Sequence, residues 1–190
     1  MIAGDLEYLM SSLPYLSFDA GKEYQRSVSD CFIKYAGPQM ANRSLVVLLE
    51  MEAKKFLSPA RYRQFKEIHI DHIHQEGTLN DSPPLLFEFA QYLAALKQEL
   101  KSLRLARRAA ADRAGLDRVA SPIKPGNPLE EEIQLLQMQW DKLEALSSMH
   151  YADFSALVAY RLQLMLLLRL WSFDEQKGYD IFVETTKALS

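Results

Sequence analysis

The sequence predicts an all-α fold, a helical bundle that contains one long antiparallel helical hairpin. Apolar residues recur at helical spacing along most of the chain, and strand-like alternation of useful length is absent. The 7 glycines and 8 prolines are few for 190 residues, and most prolines separate periodic segments. Such a composition favours helices over a turn-rich β fold. The length and the 48% hydrophobic content fit a single domain over residues 1–190.

The hairpin is predicted from two apolar seams, each typical of a helix that packs lengthwise on a partner. The first seam has spacings of 3-4-3-4-3 and consists of Leu86, Phe89, Leu93, Leu96, Leu100 and Leu103. It predicts a helix from residue 84 to about residue 114. The second seam has spacings of 4-3-4-3 and consists of Leu129, Ile133, Leu136, Trp140 and Leu143. Residues 115–128 are rich in proline and predict the loop of a hairpin that spans about 84–149.

Start and stop signals divide the rest of the chain into shorter helices. Ser58, Asn127 and Asp153 are suitable N-cap residues, and proline follows the first two at the N1 position. Glycine or a Gly-Pro pair ends two of the segments. The predicted helices outside the hairpin cover residues 23–36, 42–57, 60–76, 154–171 and 175–189.

Charge and cysteine content indicate an intracellular protein without a strong electrostatic partner preference. The net charge of −3 gives no general attraction to nucleic acid or to an anionic membrane. The single cysteine, Cys31, cannot form an internal disulfide, which fits a reducing compartment.

The sequence also predicts neither a secretory leader nor a membrane span. Asp5 and Glu7 argue against a secretory leader. The most apolar run, residues 162–171, is too short for a bilayer and predicts a buried helix. We expect a cytoplasmic protein, at most peripheral to the cell membrane.

Three of the four histidines lie in the stretch EIHIDHIHQE, residues 67–76. On a helix, His69, His72 and Glu76 would share one face and could bind zinc, whereas His74 would point away. No HExxH motif is present, and Ile68, Ile70 and Ile73 crowd the same stretch. We therefore expect a half-buried helix with solvent-facing imidazoles, and neither a metal nor a cofactor. A small metal-dependent enzyme that uses His69 and His72 remains an alternative.

A basic run offers a second alternative, a helical-hairpin module that binds nucleic acid. Between residues 97 and 118, 7 basic residues oppose 3 acidic ones, whereas 5 acidic residues oppose only Lys142 between 129 and 150. In an antiparallel hairpin these two segments would face each other, and each charge would suit the local helix dipole. Aromatic residues for base stacking are missing from the run, so we expect no nucleic-acid binding.

The sequence also lacks a GxSxG motif and a phosphate-binding glycine loop, so we expect no catalysis.

Three stretches resemble an uncharacterised bacterial family that is encoded among V/A-type ATPase subunits. They are EYLMSSLPYLSFD at residues 7–19, LKQELKSLRLARR at residues 96–108, and the segment 127–182. The last contains Pro-Leu-Glu, a tryptophan before Asp-Lys-Leu, Ala-Tyr followed by an apolar helix, and a late Phe-Asp-x-x-x-Gly. The family is thought to stand in for the C subunit, also called d, which joins the central stalk to the membrane rotor.

The resemblance implies a non-catalytic helical subunit or assembly factor of a V/A-type ATPase. Its expected partners are subunits of the central stalk or the rotor ring, and self-association is also compatible with the pattern. The best candidate contact surface is the apolar, aromatic stretch near the N-terminus, where proline interrupts helix formation. Its residues are Leu13, Pro14, Tyr15 and Phe18. An equally good interpretation is that these residues cap the protein's own core.

Overall fold

The computed structural model describes residues 6–73, 82–108, 123 and 127–173, and it confirms the all-α prediction. These residues form seven α-helices and one short 3-10 helix at Pro38–Met40, and none of them lies in a strand. The helices are α1 (Leu6–Ser12), α2 (Lys22–Ala36), α3 (Leu45–Phe56), α4 (Pro59–Glu67), α5 (Pro84–Arg108), α6 (Pro128–Ser147) and α7 (Phe154–Trp171).

Helix α7 lies at the centre of the bundle. Helices α1, α3, α5 and α6 all pack against it, with α6 making the most extensive contact. Thirteen of its eighteen residues are buried, so it is apolar on nearly every side, as a fully surrounded helix must be. Of the described helices, α7 alone is long and apolar enough to cross a membrane by length and composition, but 72% of it is buried in the bundle.

The predicted hairpin is present as helices α5 and α6, which pack against each other in antiparallel directions. Tyr92 donates a hydrogen bond to the carbonyl oxygen of Met138, and Leu96, one turn later, clusters with Leu135, one turn earlier on α6. The seams face inward, since Leu86, Phe89, Leu93, Leu96, Leu136, Trp140 and Leu143 are all buried. Ile123 covers the Leu96–Leu135 contact. The rest of the predicted loop and the end of α5 beyond Arg108 lie outside the described residues.

The predicted N-caps are confirmed. The side chains of Ser58, Asn127 and Asp153 each accept a hydrogen bond from a backbone N–H in the first turn of their helix. Such caps satisfy donors that have no partner inside the helix. Gly37 ends α2 with φ 91°, a left-handed value that disfavours any residue with a Cβ atom. Local sequence signals therefore fix these helix ends correctly.

Two helix predictions need correction, and a third cannot be compared. Helix α1 was not predicted, because seven residues carry little periodic signal and only Leu9 is buried. Helix α4 ends at Glu67 instead of continuing to residue 76. The last predicted helix, at residues 175–189, lies outside the described part of the chain.

The Asp153 cap provides a test of how the start of α7 is stabilised. Its carboxylate accepts the Ala156 N–H at 2.8 Å and lies 2.6 Å from Nδ1 of His150. Partial burial raises the pKa of Asp153, but the bonds from Ala156, His150 and Ser155 together lower it below its ordinary value. Because the folded pKa is depressed, the stabilisation is present above the ordinary aspartate pKa and is lost as pH falls through the lowered value.

We expect Asp153→Ala to reduce the free energy of unfolding by about 1 kcal/mol at pH 7, the usual size of an N-cap effect. The difference from the unmutated protein should shrink in acid, once the carboxylate is protonated. Asp153→Asn is the control, because it keeps a capping oxygen without the titration. Urea unfolding of the three proteins at pH 7 and at an acidic pH, where Asp153 is protonated, measures the difference in the free energy of unfolding. An equal loss for Asp153→Ala at both pH values would show that the charge contributes nothing.

Candidate functional site

A cleft of about 740 Å³ opens between α7 and the helices around it. Helix α7 contributes its floor with Met165 and Leu166. Helix α3 and the turn after α4 line one side, and the hairpin helices α5 and α6 line the other. The volume lies within the range of ordinary small-molecule sites, which is roughly 300–1,000 Å³. The cleft is therefore large enough to be a binding site, and its walls combine leucine and valine with nearly as many polar and charged residues.

Arg161 lies at the inner part of this cleft and is only 2% exposed. Its Nη2 atom is 2.7 Å from a carboxylate oxygen of Glu50 on α3. Its Nε and Nη2 atoms also donate to the carbonyl oxygens of Ile68 and Lys66, at 2.9 and 3.3 Å. The guanidinium lies over the ring of Phe65, with 4.8 Å between its central carbon and the ring centroid. One side chain of α7 therefore ties together α3, α4 and the turn that follows α4.

The electrostatics of Arg161 follow from this burial. Removal from water lowers the pKa of the guanidinium, and the hydrogen bond and negative charge of Glu50 oppose the shift. The group remains charged at neutral pH because arginine starts from a very high pKa. Within the described residues its Nη1 atom has no hydrogen-bond partner. The ring of Phe65 lies against the same guanidinium and provides a weak cation–π contact.

The histidine stretch does not form the predicted helix. After Glu67 the backbone of Ile68 is extended, and residues 70–73 form a turn in which the His72 N–H donates to the His69 carbonyl oxygen. The predicted exposure is nevertheless correct, because His69 and His72 are exposed while Ile68 and Ile73 are buried. Arg161 stabilises this helix end, since it donates hydrogen bonds to the carbonyl oxygen of Lys66 in the last turn and to that of Ile68 just after it.

The two imidazoles are near each other, with ring centroids 5.7 Å apart, and Nδ1 of His69 is 3.5 Å from a carboxylate oxygen of Asp71. Within the described residues, no group of three histidine, cysteine, aspartate or glutamate side chains is placed to hold a metal ion. The other two predicted neighbours, His74 and Glu76, lie outside those residues.

The predicted facing of basic and acidic residues in the hairpin stays a prediction, because residues 109–118 of the basic run lie outside the described part of the chain. Glu132, at the start of α6, pairs with Arg169 of α7 at 2.7 Å.

At the far end of α5, a second groove of about 310 Å³ is lined by Lys97, Leu100, Lys101, Arg104 and Leu105. Leu105 is 55% exposed there. This groove combines three cations with two leucines, and its lining includes no acidic residue from the described part of the chain.

The four candidate contact residues near the N-terminus occupy two different environments. Tyr15 is 81% exposed, whereas Leu13, Pro14 and Phe18 are half-buried. The Phe18 ring packs on Trp140 of α6 with 5.8 Å between centroids. Phe18 and Leu13 therefore belong partly to the core, and Tyr15 is the member that faces solvent.

Residues 13–19 form an irregular segment that is held by hydrogen bonds from distant side chains. Tyr160 of α7 donates to the carbonyl oxygen of Pro14 at 2.8 Å, and burial raises the pKa of this hydroxyl, which keeps it a donor. Tyr24 of α2 donates to the carbonyl oxygen of Tyr15 and accepts from the Ser17 N–H. The indole of Trp171 donates to the carbonyl oxygen of Asp19. The segment is thus fixed on both sides of the exposed Tyr15 ring.

Sequence reasoning did not find Arg161 or the residues that fix this segment. Arg161 stands within an apolar helical stretch, and a lone arginine there is the signal that could have marked it as a buried, paired charge. Its partners Glu50 and Ile68 are 111 and 93 residues away, so no local pattern reveals them. Tyr24 and Tyr160, which hold the segment around Tyr15, carry no comparable signal in the sequence.

The fold and the cleft define the protein as an all-α bundle with a buried arginine at a cleft that has both apolar and charged walls. No protein-family model, no curated protein and no solved structure matches the chain.

Proposed function

We propose that this protein is a non-catalytic helical subunit or assembly factor of a V/A-type ATPase, which acts through protein–protein contacts in the cytoplasm. The observation that carries the proposal is the presentation of Tyr15 on a fixed backbone at the surface. Three side chains from α2 and α7 hold the segment around it. A tyrosine that is already held in place loses little conformational freedom on binding, and tyrosine is enriched among the residues that dominate interface energies.

The surroundings of Tyr15 support a contact surface. Tyr15 and Pro14 line a groove of about 370 Å³ with Ser147 at the end of α6 and Gln163 of α7. Met149 and Tyr151 follow Ser147 within a few residues, and they are 82% and 79% exposed. Large exposed side chains in one region are typical of interaction sites when they are rimmed by polar groups.

The choice of partner rests on the sequence resemblance. Residues 7–19 are one of the three stretches that resemble the family encoded with V/A-type ATPase subunits, and they contain Tyr15. The stiff α5–α6 hairpin and the packed α7 suit a part that transmits force or positions other subunits. A partner from the central stalk or the rotor ring is therefore the first expectation, and a second copy of this chain is the other.

Affinity capture of the full-length protein from extracts of its own organism tests this function. We expect subunits of the ATPase to co-purify with the unmutated protein and to be lost with Tyr15→Ser, because the ring is exposed and its removal leaves the core intact. Tyr35→Ser is the matched control, since Tyr35 is also exposed, at 51%, but lies on α2. Circular dichroism should show an unchanged helix content for both variants.

Three results are informative. Loss of ATPase subunits with Tyr15→Ser but not with Tyr35→Ser supports the proposed surface. Retention in both variants means that the contact lies elsewhere on the protein. Absence of every ATPase subunit from the unmutated sample contradicts the proposed function itself.

A further inference from the structure

We propose that the large cleft and the groove at the end of α5 together form one binding site for a single-chain anionic amphiphile, of the fatty carboxylate class. This inference is independent of the ATPase partner. It rests on the shape of the surface, on its apolar walls and on the distribution of charge along it.

The two depressions are continuous. Lys97 and Leu100 line both of them, so the surface runs along α5 from Leu93 to Leu105. Twelve residues of helix span about 18 Å at 1.5 Å per residue. The depression is therefore elongated, which suits an extended chain better than a compact ligand.

About half of the residues that line the large cleft are apolar, and several of these are only partly buried by the protein itself. They are Val46, Val47, Leu100 and Leu168. A hydrocarbon chain placed over them would remove apolar surface from water, which contributes roughly 25 cal/mol for each Å² that is buried. The volume of the cleft is in the range of small-molecule sites.

The charge distribution sets the direction of the ligand. Among the described lining residues, acidic side chains occur only in the large cleft, where Glu50, Asp71 and Glu132 are accompanied by the cations Lys66, Lys97, Arg161 and Arg169. Glu50 pairs with Arg161, and Glu132 pairs with Arg169. The described residues that line the outer groove include the cations Lys97, Lys101 and Arg104 and no acidic residue. The charges of the large cleft nearly balance, whereas the described charges of the outer groove are all positive, so a carboxylate head is attracted more strongly at the outer end. The head group therefore belongs at the end of α5, and the chain extends inward.

Isothermal titration of the full-length, delipidated protein with three probes tests each part of this inference. Dodecanoate, below its micelle concentration, is expected to bind saturably with one molecule per chain. Dodecyltrimethylammonium has the same tail and the opposite charge, and should bind at least about tenfold more weakly, a difference of about 1.4 kcal/mol. Acetate has the head group alone and should give no measurable heat. Circular dichroism confirms that the protein stays folded during each titration.

Two variants locate the site. Lys101→Glu with Arg104→Glu should weaken dodecanoate binding at least about tenfold, because both side chains are exposed and reversal should leave the fold unchanged. The matched control, Arg26→Glu with Lys34→Glu, makes the same change of charge on the exposed face of α2 and should bind normally. Leu100→Trp fills the junction of the two depressions and should also abolish binding.

Several outcomes overturn the proposal. These are equal affinity for the anionic and the cationic amphiphile, equal effects of the two double variants, or unaltered binding by Leu100→Trp. Binding only to vesicles of anionic phospholipid, with no binding of dodecanoate monomer, assigns the basic groove to a membrane surface and contradicts a ligand site. Absence of dodecanoate binding to the unmutated protein also rejects it.

Discussion

Replacing Arg161 with methionine is expected to lower the free energy of unfolding by about 3–5 kcal/mol, the usual cost of breaking a buried ion pair by removing one partner. Arg161 is only 2% exposed, and its partner Glu50 has a side chain that is 16% exposed. The variant leaves the Glu50 carboxylate without its cation. It also leaves the carbonyl oxygens of Lys66 and Ile68 without their donor. Denaturant unfolding at pH 7 measures the loss.

Two further variants separate the ion pair from the general loss of a side chain. Arg161→Met combined with Glu50→Leu should recover much of the stability, because replacing both charges by apolar groups is often nearly neutral. Arg169→Ala removes the cation of the Glu132 pair, in which Arg169 is 57% exposed. It should cost only about 0–1 kcal/mol, as exposed pairs do. A loss below about 1 kcal/mol for Arg161→Met would contradict a structural role for the buried pair.

Truncating Phe89 to alanine is expected to cost about 3–5 kcal/mol. Phe89 is 0% exposed, belongs to the apolar seam of α5 and stacks near Tyr92 with 6.4 Å between the ring centroids. Its removal takes away the transfer energy of the ring and leaves a cavity that the rigid bundle fills only in part. The midpoint of urea unfolding, together with the dependence of the free energy of unfolding on urea concentration, gives the change in free energy. The midpoint of thermal unfolding provides a second measurement.

Phe87 provides the matched control, since it stands two residues earlier on the same helix but is 50% exposed. Phe87→Ala should change the free energy of unfolding by no more than about 0.5 kcal/mol, the usual range for surface substitutions. The pair therefore tests whether the seam, with its spacing of three and four residues, determines which face of α5 carries the stability. Equal effects of the two truncations would contradict the orientation of α5.

The sequence by itself determined the helical fold, the hairpin and most helix boundaries. These features depend on information that is local in the chain. Seam residues such as Phe89 and Leu143 repeat at the helical period. The caps Asn127 and Asp153 bond to amides two or three residues away. The exposure of Tyr15 within the predicted contact stretch was not determined in this way, because neighbouring residues of the same apolar character are half-buried.

Only the tertiary structure decided where α4 ends, which charges pair and how the large cleft is formed. Helical propensity continues past Glu67 into the histidine stretch, but Arg161, which lies 93 residues beyond Ile68, takes the carbonyl oxygens at that point. Glu132 of α6 pairs with Arg169 of α7, 37 residues further along the chain. The segment around Tyr15 is held by Tyr160 from 146 residues away along the chain, counted from Pro14. Such contacts depend on the packing of whole helices against one another, and a pattern read within one helix contains no information about them.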